Sequence, residues 1–113
     1  MPYHESMDTI NPHLNVTHDE IAAYCRRWNI VRFELFGSVL RDDFRDDSDV
    51  DVLVTFAAGV RPRIADWLDM EDELRALVRH NVDIVERKLV ERGRNPIRKR
   101  NILGAARSVY AAV

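Results

Sequence analysis

The chain has one cysteine, four glycines and four prolines among its 113 residues. The single thiol, Cys25, cannot close an internal disulfide or build a zinc cage, and it reads as a buried core residue. So little glycine and proline excludes a collagen-like or low-complexity chain. No apolar run approaches the roughly 20 residues that a membrane-spanning helix needs. The start, Met1 to Val16, is polar and resembles neither a signal nor a transit peptide, so a cytoplasmic protein with no membrane contact is expected. An excess of positive charge is also missing. There are 17 Lys and Arg against 19 Asp and Glu, a net charge of −2, so direct nucleic-acid binding is not expected. What remains, 46% hydrophobic and 32% charged residues, is the balance of one globular domain.

The average charge hides two clusters of opposite sign. Asp42, Asp43, Asp46, Asp47, Asp49 and Asp51 face only Arg45 within their own stretch. Arg87, Lys88, Arg92, Arg94, Arg98, Lys99, Arg100 and Arg107 stand against only Glu86 and Glu91. An acidic centre suits a cation, and a basic C-terminal third suits an anion or an acidic partner. A solvated helix face explains the basic third equally well.

Local patterns divide the chain. Residues 1–16 show no apolar periodicity and read as a loosely ordered arm, leaving 17–113 as the domain. Thr17 and Glu20 form a capping box, and Ile21, Tyr24, Cys25 and Trp28 then share one helical face, which Asn29 ends. Val31 to Phe36 alternates as a strand, with Val31, Phe33 and Leu35 expected inward, and Gly37 breaks it. Val50 to Phe56 is a second strand. Ile64, Trp67, Leu68, Leu74, Leu77 and Val78 mark a helix, and Val82 to Val85 is a short third strand. Asn95-Pro96 caps a last helix, whose stripe of Ile97, Leu103, Ala106 and Tyr110 is expected to run to the C-terminus. The expected fold is therefore α+β, a small mixed sheet of about three strands flanked by helices.

Three carboxylates carry the chemical signal. Asp49 and Asp51 are two residues apart at a strand mouth, so both side chains share one face. Carboxylates that close repel each other unless a cation or a proton intervenes, and a hard divalent ion such as Mg²⁺ fits them. The apolar run Val52-Leu53-Val54 that follows argues against a merely solvated acidic loop. Asp83 interrupts the third strand and joins the pair if its strand lies beside 50–56; otherwise it faces water at a sheet edge. Gly37 lets backbone N–H groups approach a phosphate closely, Ser38 adds a hydroxyl, and Arg41 adds a guanidinium fork.

Together, Gly37-Ser38-Val39-Leu40-Arg41 and Ser48-Asp49-Val50-Asp51-Val52-Leu53-Val54 resemble the nucleotidyltransferase superfamily that includes DNA polymerase β. Its pattern is a Gly-Ser turn, a gap, an Asp-x-Asp at a strand start and a later carboxylate on a neighbouring strand, matched here by Asp83. The short chain is most similar to the minimal nucleotidyltransferases of prokaryotes, over about residues 17–110. The resemblance implies the nucleotidyltransferase fold and a Mg²⁺-dependent transfer of AMP from ATP to a hydroxyl. It implies two Mg²⁺ ions on Asp49, Asp51 and Asp83, the catalytic carboxylates, and a triphosphate held by Gly37, Ser38 and Arg41. It also implies a partner, a HEPN-family toxin modified on a tyrosine, with the minimal nucleotidyltransferase as its antitoxin.

One position departs from the pattern. Minimal members commonly carry glycine directly after the arginine, and this chain has Asp42, whose charge repels a triphosphate unless it is turned away. Two other readings follow from the same residues. One is a nucleotidyltransferase acting on a small molecule, as aminoglycoside-modifying relatives do, with a partner subunit covering the acceptor. The other is an antitoxin that blocks its partner sterically, without catalysis.

Overall fold

Thr17 opens the first helix as the sequence requires. Its Oγ1 accepts from the Glu20 N–H at 3.1 Å, and the Glu20 carboxylate accepts from the Thr17 N–H at 2.9 Å. Helix α1 (His18–Trp28) ends at Asn29, whose left-handed backbone turns the chain into the sheet. This computed structural model describes residues 8–112.

The order is β1 (Thr9–Asn11), β2 (Leu14–Thr17), α1, β3 (Ile30–Phe36), a 3₁₀ turn (Gly37–Leu40), β4 (Val50–Phe56), α2 (Ile64–Val78), β5 (Val82–Glu86), α3 (Arg87–Glu91), α4 (Pro96–Ala105) and β6 (Arg107–Ala111). The main sheet runs β5-β4-β3-β6; β3 is antiparallel to β4 and β6, and β4 is parallel to β5 through the α2 crossover. The fold is thus α+β with a mixed sheet, as expected.

Alternation along β4 separates the two faces of the sheet. Val50, Val52 and Val54 enter a core with Phe33 and Leu35 of β3, Ile21, Tyr24 and Cys25 of α1, and Met70, Leu74 and Val78 of α2. Asp51, Leu53 and Thr55 take the other face. There α3 contacts β4 and β5, and Leu53 and Val90 are buried. Cys25 is buried as expected, its thiol pushed up to about 12 by desolvation.

Three expectations need correction. The sheet has four strands, because the last helix stops at Ala105 and Arg107–Ala111 pairs with β3, Phe33 opposite Tyr110. The supposed stripe is not amphipathic within the helix, since α4 buries no residue. A Ser-Val-Tyr run fits the free edge of β3 better. The arm is not loose from Thr9 onward: β1 and β2 form a hairpin that buries Leu14 and Val16. Residues 1–7 of that expected arm lie outside the described residues. In β3, an irregularity between Ile30 and Arg32 puts Ile30 rather than Val31 in the core.

Candidate active site

Two of the carboxylates meet at the edge of the sheet. Asp51 of β4 and Asp83 of β5 are register partners in the parallel pair, so their side chains stand side by side on one face. Asp49, one residue before β4, alternates onto that same face. Asp49 and Asp83 are exposed and Asp51 is half-buried, which leaves the cluster open to solvent. The exposure of Asp83 means that its charge needs no cation to persist. Its position beside Asp51 carries the argument instead.

Electrostatics joins the three. Burial raises the Asp51 carboxyl above its ordinary range, and the negative charges of Asp83 and Asp49 raise it further. None of the three has an ion-pair partner among the described residues. Nor are any three acidic, histidine or cysteine donors gathered around one point there. The donor chemistry nonetheless fits a hard cation, because the set is all oxygen, negatively charged and uncompensated.

Gly37 sits against this cluster. Its φ of 78° is left-handed, and a Cβ there would collide with the Asp51 carboxylate. Glycine is therefore favoured twice over, by the turn and by the approach of Asp51. Ser38 Oγ donates to the Asp49 carbonyl at 3.4 Å, tying the Gly-Ser turn to the mouth of β4. The Arg41 N–H donates to the Ser38 carbonyl at 2.9 Å and closes the turn. The Arg41 guanidinium rests on Asp43, Nε to Oδ1 at 3.3 Å, an exposed pair that a phosphate could displace at little cost. Asp42 is exposed, unpaired among the described residues and outside the left-handed region, so this backbone does not require glycine there.

The loop between the turn and the aspartates is braced by residues that the sequence reading missed. Phe44 lies between two imidazoles, 5.2 Å from His13 and 4.9 Å from His80 between ring centroids. His13 Nε2 donates to the Arg41 carbonyl at 2.9 Å, and His80 Nδ1 to the Ser48 carbonyl at 3.0 Å, so each ring pins one end of the loop. Asn11, buried, donates its side-chain amide to the Val39 carbonyl at 3.2 Å. The available signal was Phe44 itself, one aromatic residue inside an acidic stretch. Further along the same sheet face, Glu34 is buried and accepts from Arg87 Nη1 at 2.8 and 2.9 Å.

Comparison with known proteins decides the family. The nucleotidyltransferase domain matches residues 19–109. This chain belongs to that family. It is similar to the protein adenylyltransferase MntA of Thermococcus cleftensis, 33% identical over 67 residues, which span 59% of this chain and 66% of the relative. A solved structure assigned to a minimal nucleotidyltransferase is 33% identical, with a TM-score of 0.60 over 80% of this chain and 86% of its own. The MNT antitoxin structure with tri-AMPylated Shewanella oneidensis HEPN toxin shares the fold, with 20% identity and a TM-score of 0.55 over 84% and 70%. The nucleotidyltransferase resemblance read from Gly37-Ser38 and Asp49-x-Asp51 is thereby borne out. No helix among the described residues is long and apolar enough to cross a membrane.

Proposed function

We propose that this nucleotidyltransferase moves AMP from ATP to a tyrosine hydroxyl of a cognate HEPN toxin, acting as its antitoxin in the cytoplasm. The observation that carries the reading is the register pairing of Asp51 with Asp83, beside Asp49 and a Gly37-Ser38 turn whose left-handed backbone favours glycine. The similarity to a protein adenylyltransferase supports AMP as the transferred group, and the HEPN complex of a fold relative supports the partner.

Each residue has a task in that reaction. The N–H groups of the Gly37 turn, the Ser38 hydroxyl and the Arg41 guanidinium bind the β- and γ-phosphates. Asp49, Asp51 and Asp83 would hold Mg²⁺, which supplies positive charge to the attacking and leaving oxygens. Asp83, the most open of the register pair, also accepts the proton of the incoming hydroxyl. The tyrosine oxygen bonds to the α-phosphorus, the bond to the β-phosphate oxygen breaks, and pyrophosphate leaves. A tyrosine hydroxyl titrates near 10, so a base within reach matters at neutral pH.

The partner needs a docking surface, and α4 offers one. This helix buries none of its residues, exposes Ile97, and carries Arg98, Lys99 and Arg100 after Arg94, with no acidic residue from Arg92 to the C-terminus. A helix of ten residues gains little stability by itself, and an acidic, partly apolar surface would complement it.

The test incubates the chain, ATP and Mg²⁺ with a HEPN-family toxin from the same source, then measures intact mass and maps modified residues. AMP on a toxin tyrosine is the expected result. An unmodified partner whose toxicity is still blocked would replace transfer with steric inhibition, and AMP on an aminoglycoside without the partner would replace the protein acceptor.

A further inference from the structure

At the opposite end of β4 from the carboxylates lies a cleft of about 400 Å³, bounded by the 57–62 loop, the start of α2 and α3. Thr55 and Asp51 share one face of β4 and are four residues apart, roughly 13 Å at the rise of a strand. Leu53, paired across the sheet with the buried Glu34, separates them. The cleft is therefore distinct from the carboxylate cluster.

Its lining has three chemical features. Arg61, Lys88 and Arg92 bring three cationic groups, none in an ion pair among the described residues, against the single acid Glu86. Phe56 and Trp67 form an aromatic wall, edge to face with ring centroids 5.6 Å apart. Thr55 Oγ1 is buried with no hydrogen-bond partner, the one such side-chain atom among the described residues. A buried polar atom without a partner is uncommon in a folded chain, and a small shift of the side chains that cover it would open it to a ligand in the cleft. The volume is that of a small-molecule site.

We infer that this cleft is a second nucleotide site, taking a nucleoside monophosphate. The phosphate sits among Arg61, Lys88 and Arg92, where charge-assisted hydrogen bonds are strongest. The base packs on the Phe56–Trp67 wall, and a ring or sugar hydrogen-bonding group satisfies Thr55 Oγ1. Both halves of the ligand are needed. The cations alone would suit any anion, and the aromatic wall with its orphan hydroxyl alone would suit any small polar ring.

The experiment is calorimetric titration of the full chain with AMP in chelator, because without a divalent ion the carboxylate cluster repels phosphate. AMP is expected to bind with a Kd below about 1 mM. Lys88→Glu with Arg92→Glu should weaken it at least tenfold. Thr55→Val, which keeps the shape and removes the hydroxyl, should weaken it several-fold without lowering the melting temperature. Asp51→Asn should leave it unchanged. Adenosine and inorganic phosphate, titrated separately, should each bind more weakly than AMP. The inference is overturned if AMP does not bind or if phosphate binds as tightly as AMP. It also fails if AMP affinity survives the charge reversal or disappears with Asp51→Asn. Failure to bind AMP combined with weaker toxin binding in the charge-reversed chain would assign the cleft to a protein surface instead. None of these outcomes depends on whether AMP is transferred to a toxin.

Discussion

Asp51 and Asp83 stand side by side as register partners across the parallel β4–β5 pair, with no cationic side chain among the described residues bridging them. Two carboxylates so placed make the protein less stable on their own, and in the proposed function they would hold Mg²⁺. Stability and metal binding are thus opposite readings of one geometry.

A pH dependence follows. The folded Asp51 carboxyl lies above its ordinary value, through burial first and then through Asp83 and Asp49. A carboxyl raised on folding favours the native state below its unfolded pKa, and that contribution is lost as pH rises through the folded value. At neutral pH Asp51 is therefore a net cost. Asp51→Asn should raise the melting temperature of the metal-free protein by about 1–3 °C at pH 7, a small effect because solvent screens a half-exposed site. The gain should vanish toward pH 3. Added Mg²⁺ with ATP should stabilise wild type and leave Asp51→Asn nearly unmoved. An equal response in both chains would remove Asp51 from the metal site.

Gly37→Ala should be costly on two counts. It forces a side chain into a left-handed backbone and a Cβ into the space of the Asp51 carboxylate. The expected destabilisation is about 1–3 kcal/mol by urea melting. ATP–Mg²⁺ affinity should fall with it, because relief of the clash displaces Asp51. A chain that loses stability but binds ATP as before would show that Asp51 does not set the nucleotide site.

The ease of reading this sequence varied with the range of the forces involved. Local signals were legible: the Thr17–Glu20 box, the Asn29 end of α1, the alternation of β4 and the Gly-Ser turn all act within a few residues. The aspartates were legible for the same reason, since a strand period fixes Asp49 and Asp51 on one face whatever the fold. What was hidden lies far apart in the chain. The edge of β3 recruits Arg107–Ala111, so Val109 and Tyr110 form a strand where spacing alone allowed a helix. Glu34 looked like an outward polar residue of an alternating strand. Burial by α3 and the pairing with Arg87, 53 residues away, make it part of the interior. The Leu68 and Trp67 positions of α2 show the same limit. Helical spacing sets Trp67 and Leu68 about 100° apart, so one of them belongs at the rim, but only the packed structure shows that it is Leu68, 57% exposed, while Met70 and Leu74 are fully buried.

The Glu34–Arg87 pair should behave as a unit. Glu34 is 3% exposed in its side chain and Arg87 19%, and one Arg87 nitrogen reaches both carboxylate oxygens. Removing either charge leaves the other with one more exposed partner, Arg32 at 3.5 Å for Glu34 and Glu91 at 3.1 Å for Arg87. Glu34→Ala should cost about 2–4 kcal/mol by chemical denaturation, and Arg87→Met a similar amount. Glu34→Leu with Arg87→Met should cost clearly less than the sum of the single changes. An additive double variant would mean that the two charges are solvated independently.

Phe44→Ala removes the ring on which His13 and His80 both pack and leaves the carboxylates untouched. The loop ends at Arg41 and Ser48 should loosen, because each imidazole loses one of its contacts. The expected result is a rise in KM for ATP of about three- to tenfold, with kcat changing less, since in the proposed function Arg41 would hold phosphate while the aspartates would act at the reacting centre. Phe44→Tyr, which retains the ring, should restore most of the affinity. A matching fall in kcat for Ala, unrescued by Tyr, would mean that Phe44 touches the reacting groups rather than positioning the loop.

Asp83→Asn separates binding from chemistry. Asp83 is exposed on the edge strand, so the change costs the fold little, and Asn keeps the shape and one oxygen beside Asp51. Loss of its negative charge also relieves Asp51, whose carboxyl should then ionise at lower pH. ATP–Mg²⁺ binding should therefore stay within about tenfold of wild type, because in the proposed function Asp49 and Asp51 with the Gly37 turn would still face the triphosphate. Transfer is another matter. In the proposed function the incoming hydroxyl loses the carboxylate that would accept its proton, and loss of a positioned base slows such a step by about 10²–10⁴. The decisive measurement is single-turnover transfer of AMP to the toxin as a function of pH. Wild type should depend on pH less steeply than the variant. The variant should instead rise with pH as the tyrosine ionises unaided, gaining about tenfold per pH unit. A variant that transfers at the wild-type rate, or whose slow rate ignores pH, would leave Asp83 as a neighbour of Asp51 and nothing more.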